Sequence, residues 1–156
     1  MTDHAQDTQT TQPELPLSTG ELEQVASDLR LACMRISRRV RYESVHDIAP
    51  HQFSVLVRLE EGPCTPGELA DIERVAKPTM TKNVATLVDR GLVQRTPDPA
   101  DGRQVILSLT RAGRAAVTAT RRRRDAWMRT RLARLTPAEQ RLLARAERLL
   151  AQVAAE

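Results

Sequence analysis

The sequence predicts a mainly helical protein carrying one small β-hairpin, and three observations lead there. Apolar residues recur at helical spacing along most of the chain, as in Leu22, Val25, Leu29, Cys33, Ile36 and Val40. Three boxes, Ser18 to Glu21, Thr65 to Glu68 and Thr136 to Glu139, have the pattern in which a hydroxyl accepts a backbone N–H and a glutamate reaches back. One stretch breaks the helical period: Leu92 to Thr96 and Val105 to Leu109 are short β-prone runs, joined by the turn-rich PDPADGRQ. Aromatic residues are confined to Tyr42, Phe53 and Trp127, so the core must be built from Leu, Val and Ala, which suits helices.

Taken in order, residues 1–17 are polar and acidic, with too little apolar content to pack, and are expected to form a disordered tail. A helix should run from the Ser18 box to about Glu43. Leu31 and Met34 widen its stripe, so it should touch more than one neighbour, a second chain among them. Pro50 starts another helix, with Phe53, Leu56 and Leu59 inward and Glu61-Gly62-Pro63 as its stop. The Thr65 box opens a short helix through about Glu73, with Leu69, Ala70 and Ile72 apolar.

Lys77-Pro78 opens the next helix, expected to reach Arg90 and to end at Gly91. Met80, Val84, Leu87 and Val88 make its apolar stripe. Pro78, Thr79, Lys82 and Thr86 lie opposite, with Thr81 and Asn83 on the flanks, and no carboxylate appears until Asp89. In the second β-prone run Val105, Leu107 and Leu109 alternate with polar or smaller partners. Thr110 then caps a long helix to about Leu135, which Arg121 to Arg124 wrap right around. The last helix carries Leu142, Leu143, Ala146, Leu149, Leu150 and Val153, a stripe with no partner in a small core. The first and last two helices are therefore expected to pack together across a two-fold axis.

A helix with a polar, cationic face followed by a hairpin with a basic tip outlines a winged helix-turn-helix with N- and C-terminal dimerisation helices. The expected division is a tail at 1–17, a dimerisation helix at 18–45, a DNA-binding lobe at 46–110 and C-terminal dimerisation helices at 111–156. DGRQVILSLT resembles the D-x-R…L-T wing signature of MarR-type transcriptional regulators and is followed by Gly113, usual in that family. PHQFSVLVRLEEGP and TPGELAD resemble the helix before the motif and the motif's first helix. The resemblance is close over roughly residues 50–113 and one of pattern in the flanking helices. One departure stands between the two helices of the motif. Glu73-Arg74-Val75 occupies the place where the family often has an apolar residue and Gly, which puts the shape of that turn in question.

The resemblance implies a sequence-specific regulator, a repressor, that binds a palindromic operator on double-stranded DNA as a homodimer and is released by a small phenolic or drug-like effector. The charge pattern agrees. The net charge is +4, but residues 1–76 carry −6, residues 77–124 carry +8 and residues 125–156 carry +2. Positive charge is concentrated in helix and wing, as phosphate binding requires; a plain solvated basic surface is the alternative.

Thr79, Lys82, Asn83 and Thr86, with Pro78 and Thr81 beside them, are the candidates for the major groove, where Thr and Asn can hydrogen-bond base edges. Arg103 is the candidate for the minor groove. Asp101 either orients that arginine or holds it in an internal ion pair. The resemblance implies an effector pocket near Arg38, Tyr42, Phe53 and Trp127, where a cation and rings suit an anionic aromatic ligand. Cys33 could be a sensing thiol, as in one branch of the family, but the tyrosines such sensors carry beside it are reduced here to Tyr42. Core packing is the better reading of Cys33, and a structural role that of Cys64.

Two cysteines give no disulfide framework. His46, His51 and Cys64 match no tight ligand spacing, so no metal and no cofactor is expected. No Gly-rich phosphate loop, nucleophile–base arrangement or carboxylate pair points to an enzyme. No run of about twenty apolar residues predicts a membrane span. The N-terminus lacks a signal pattern, which predicts a cytoplasmic protein. The competing class of function is a winged helix that docks an acidic protein partner, distinguishable by the steep salt dependence of DNA binding.

Overall fold

The computed structural model describes residues 16–43 and 48–155. The expected tail lies almost wholly outside them, as do residues 44–45 and His46. Two compact units divide the chain, one ending at Ser37 and the other running from Arg38. The elements in order are α1 (Thr19–Glu43), α2 (Pro50–Glu61), α3 (Pro66–Ile72), α4 (Lys77–Asp89), β1 (Val93–Pro97), β2 (Val105–Leu109), α5 (Arg111–Leu132) and α6 (Pro137–Ala155). The mainly helical fold with its single hairpin is as the sequence predicts. Some bounds move: β1 lies one residue later at both ends, α4 stops at Asp89, and α5 stops at Leu132, with Arg134 and Leu135 in a closing turn.

All three boxes close. The amide of Thr65 donates to Glu68 Oε2 at 2.7 Å while Thr65 Oγ1 accepts the Glu68 amide at 3.2 Å. Ser18 with Glu21 and Thr136 with Glu139 repeat the exchange. Each satisfies donors that the first turn of a helix leaves open. Gln140 Nε2 reaches back to the Leu132 and Leu135 carbonyls, both at 3.1 Å, and ties the start of α6 to the end of α5.

The core belongs to α2, α3, α4, the hairpin and the first half of α5. Leu56, Leu69, Met80, Val84, Leu87, Leu107 and Val117 are almost wholly buried there. β1 and β2 pair antiparallel with Val93 opposite Leu109 and Arg95 opposite Leu107. Cys64 adds a one-residue bridge on the far side of β2, its amide donating to the Leu107 carbonyl at 3.2 Å and its carbonyl accepting the Leu107 amide at 2.8 Å. Burial, then nearby Glu68, pushes the Cys64 thiol pKa up, which suits a structural role. Of the alternating Val105, Leu107 and Leu109, the two leucines are buried and Val105 is not. It is exposed because the hairpin runs past the end of the core, and with Arg95, Pro66, Thr81 and Val84 it lines a small groove of about 190 Å³.

α1 and α6 bury none of their residues. Cys33, expected in a core, is exposed on α1. On α6 the same holds for Leu142, Leu143, Leu149, Leu150 and Val153. Between α5 and α6 runs a groove of about 640 Å³ lined by Met128, Leu132, Gln140, Leu143, Ala144 and Glu147, among others. Among the described residues no helix is long and apolar enough to cross a membrane.

Candidate nucleic-acid interface

α4 is anchored from behind and bare in front. Met80, Val84 and Leu87 bury its back, and Val88 packs partly against the same core. Its C-terminus closes with Gly91 at φ +68, the Leu92 amide donating to the Leu87 carbonyl at 2.9 Å and the Gly91 amide to Val88 at 2.8 Å. Glycine takes this left-handed place without a Cβ penalty. At the other end the N-cap is Ala76, with no side-chain cap. Lys77 holds the first helical position and Pro78 the second, one later than the sequence suggests. A cation and open N–H groups at the positive end of a helix are matched by an anion placed there.

On the front, Pro78, Thr79, Thr81 and Lys82 are exposed, and Asn83 and Thr86 are half-buried. Thr81 Oγ1 donates to the Lys77 carbonyl at 2.9 Å and Thr86 Oγ1 to the Lys82 carbonyl at 3.1 Å. Those hydroxyls have spent their hydrogens inside the helix and keep lone pairs, so they are set to accept, as from adenine N6 or cytosine N4. The side chains of Thr79, Lys82 and Asn83 take no hydrogen bond among the described residues.

The turn before α4 is where the sequence departs from the family pattern. Arg74 has φ 52, and the Arg74 and Val75 amides donate to the Asp71 and Ala70 carbonyls at 3.2 and 3.0 Å. This is the closure seen at Gly91, made with an arginine in the glycine place. Glu73 fixes the turn to α2: it accepts from Ser54 Oγ and from Arg58 Nε at 3.2 Å. Glu73 first, and Glu61 after it, push the Arg58 pKa up.

In the wing, Asp101 Oδ1 accepts the backbone amide of Arg103 at 3.0 Å, and the Asp101 carbonyl accepts the Gln104 amide at 2.8 Å. Asp98 Oδ1 accepts the Ala100 amide at 2.8 Å. Aspartates thus hold the shape of the loop. The internal Asp101–Arg103 ion pair weighed from the sequence does not form, because the carboxylate is engaged by the backbone. The Arg103 guanidinium is left exposed at the tip.

The Arg121 to Arg124 cluster is not a ring of free cations. Arg121 Nη2 pairs with Glu60 Oε2 at 2.7 Å. The Arg124 guanidinium carbon sits 4.0 Å over the Phe53 ring, and its buried Nε finds no acceptor among the described residues. Burial, and then nearby Arg41, lower the Arg124 pKa.

The four expected effector residues meet different neighbours. Phe53 is buried under Arg124. Trp127 is covered by Arg131 at 3.3 Å and donates Nε1–H to Glu43 Oε2 at 3.2 Å. Arg38 and Tyr42 are exposed. Neither groove described above is lined by any of the four. Sequence reasoning missed Arg95 as a residue of the groove beside Thr81, and the arginine caps on both rings, which no spacing within one helix reveals.

Comparison with known proteins follows the same outline. A MarR family model matches residues 46–104. The chain is 44% identical over 128 residues to an uncharacterised HTH-type transcriptional regulator of Mycobacterium bovis, Mb0904, covering 81% of this chain and 90% of that protein. It superimposes on the transcriptional regulator Tm0710 of Thermotoga maritima with a TM-score of 0.71 and 31% identity, over 84% of this chain and 94% of that one. A MarR family protein of Bacillus stearothermophilus gives a TM-score of 0.69 at 26% identity, over 90% and 100% of the two chains. The bare face of α4, the wing behind it and these relatives converge: the chain belongs to the MarR family of DNA-binding transcriptional regulators.

Proposed function

We propose that the protein is a repressor that binds a palindromic operator as a homodimer, each α4 in the major groove and each Arg103 in the adjacent minor groove or on its phosphates. One observation carries the reading. The outward face of α4 presents Thr79, Thr81, Lys82 and Asn83 without a carboxylate, while its back is fixed in the core. A rigidly seated polar face of that kind suits base reading. Two-fold symmetry places two such helices about one DNA turn apart. The uncovered apolar faces of α1 and α6 supply the surface for the second copy.

Selection of bound sequences from random duplexes tests this reading. It should return an inverted repeat, and Asn83→Ala should relax one or two positions in each half-site, at about 1–3 kcal/mol for a good base contact. Enrichment of no sequence, or of an asymmetric single site, would count against it.

The same reading includes an anionic aromatic effector held near Arg38, Tyr42, Phe53 and Trp127. To stack on the face of either ring that an arginine now covers, it would displace Arg124 or Arg131. A ligand that favours the free form weakens DNA binding by the same coupling factor. Phenolic acids that change neither melting temperature nor DNA affinity would remove the effector from the reading.

A further inference from the structure

We infer that Arg74 is a phosphate-contacting residue of the DNA interface, retained in a backbone conformation that favours glycine because its guanidinium is needed there. This rests on the proposal that α4 enters the major groove. Arg74 is the single non-glycine residue with positive φ among those described, at 52°. The left-handed conformation brings an L-residue's Cβ against its own backbone, and glycine escapes that contact. The chain itself shows the alternative. Gly91 makes the same two-bond closure after α4 that Arg74 makes after α3. Strained conformations of this kind persist where the surrounding structure over-determines them, and they cluster at functional sites.

The surroundings indicate what the work is. The Arg74 side chain is exposed and has no carboxylate partner among the described residues. Its neighbour Glu73 is turned to Ser54 and Arg58 on α2, so it does not neutralise Arg74. Arg74 stands three residues before Lys77, at the uncapped start of α4. In a helix-turn-helix the first helix crosses the DNA backbone while the second enters the groove. The turn between them therefore lies beside the phosphates that border the groove. Arg74 and Lys77 each bring a positive charge to this stretch of chain, and a guanidinium holds phosphate oxygens bidentately.

The test measures stability and DNA binding together in Arg74→Gly, Arg74→Asn and Arg74→Lys. Glycine and asparagine both tolerate the left-handed turn, so the melting temperature should hold for Arg74→Asn and rise by a few degrees for Arg74→Gly. Both should bind operator and scrambled duplexes several-fold more weakly at low salt. The slope of log K against log salt should fall by about 0.9 per half-site. Arg74→Lys should keep most of the parent slope. Parent-like affinity and slope in Arg74→Gly and Arg74→Asn would overturn the inference, as would a loss confined to operator with the slope unchanged. A parent protein that binds no duplex in the same titrations would instead overturn the DNA-groove reading itself.

Discussion

Gly113 and Leu92 are in such close contact that a Cβ on residue 113 would lie 2.1 Å from the Leu92 carbonyl oxygen and 3.0 Å from Leu109 Cδ2. Thr110 secures the same junction. Its hydroxyl points at the Gly91 and Leu92 carbonyls, 2.7 and 3.2 Å away, and accepts the Gly113 amide at 3.0 Å. The family's L-T signature and its following glycine are thereby explained: they pin the first turn of α5 to the strand that leaves α4. Gly113→Ala forces backbone apart, since the clash is with a carbonyl rather than a flexible side chain. It should destabilise by about 1–3 kcal/mol or more. Urea midpoints at constant m-value are the measurement, and a change under about 0.5 kcal/mol would contradict the packing.

Arg124 sets two opposed effects against each other. Its stacking on Phe53 is worth about 0.5–2 kcal/mol, while a buried N–H without an acceptor costs about 1–3 kcal/mol. The desolvated guanidinium also sits near Arg41. Arg124→Met keeps an unbranched stem over the ring and removes the unpaired donor, so stability should be unchanged or raised. A loss above about 1 kcal/mol on thermal or urea unfolding would mean that the stacking outweighs the unpaired donor.

The capping glutamates give the fold an acid limit. Bonds from the Thr65 amide and hydroxyl hold the Glu68 carboxyl below its ordinary pKa. Thr136 does the same for Glu139, and Ser18 for Glu21, there chiefly through its hydroxyl. A depressed folded pKa contributes stability above the unfolded value, and that stability is lost as pH falls through the folded one. Stability should therefore decline as pH drops below the ordinary glutamate range. Glu68→Gln should be less stable than the parent at neutral pH and should flatten that decline. Identical pH profiles for parent and Glu68→Gln would exclude the box as a source. Thr65→Ala should cost about 1 kcal/mol at neutral pH.

The wing separates charge from shape. Arg103→Ala should weaken binding evenly across sequences and reduce the salt slope by roughly one unit for each phosphate that the guanidinium neutralises. Asp101→Ala keeps the guanidinium but frees the amide that Asp101 holds at 3.0 Å. It should give a milder loss of affinity. Salt-series isotherms on operator and scrambled duplexes decide, and an Arg103→Ala protein indistinguishable from the parent would remove the wing from the interface.

Leu149 is 64% exposed on α6, amid a face with no cover among the described residues. Leu149→Glu should shift the protein from dimer to monomer or unfold it, because a carboxylate cannot be buried unpaired. Sedimentation of the unaltered protein at micromolar concentration should show the dimer; a clean monomer would end the dimer proposal.

What the sequence determined by itself is everything set within a few residues. The three boxes, the stripe of Met80, Val84 and Leu87, the stop at Gly91 and the turn-rich wing were all legible, because capping, periodicity and turn chemistry act over one or two helical turns. The bare face of α4 followed from the stripe behind it. Tertiary structure alone decided which partner each long side chain takes. Asp101 serves the backbone of Arg103 rather than its guanidinium, Arg121 and Arg124 are drawn to α2, and Cys33 is exposed on α1. The turn at Arg74 keeps the glycine shape without glycine: its amide and that of Val75 close α3, and Glu73 is anchored to α2, against a local preference worth roughly 1–2 kcal/mol. Such outcomes depend on groups brought together from distant positions, and spacing along one chain carries no record of them.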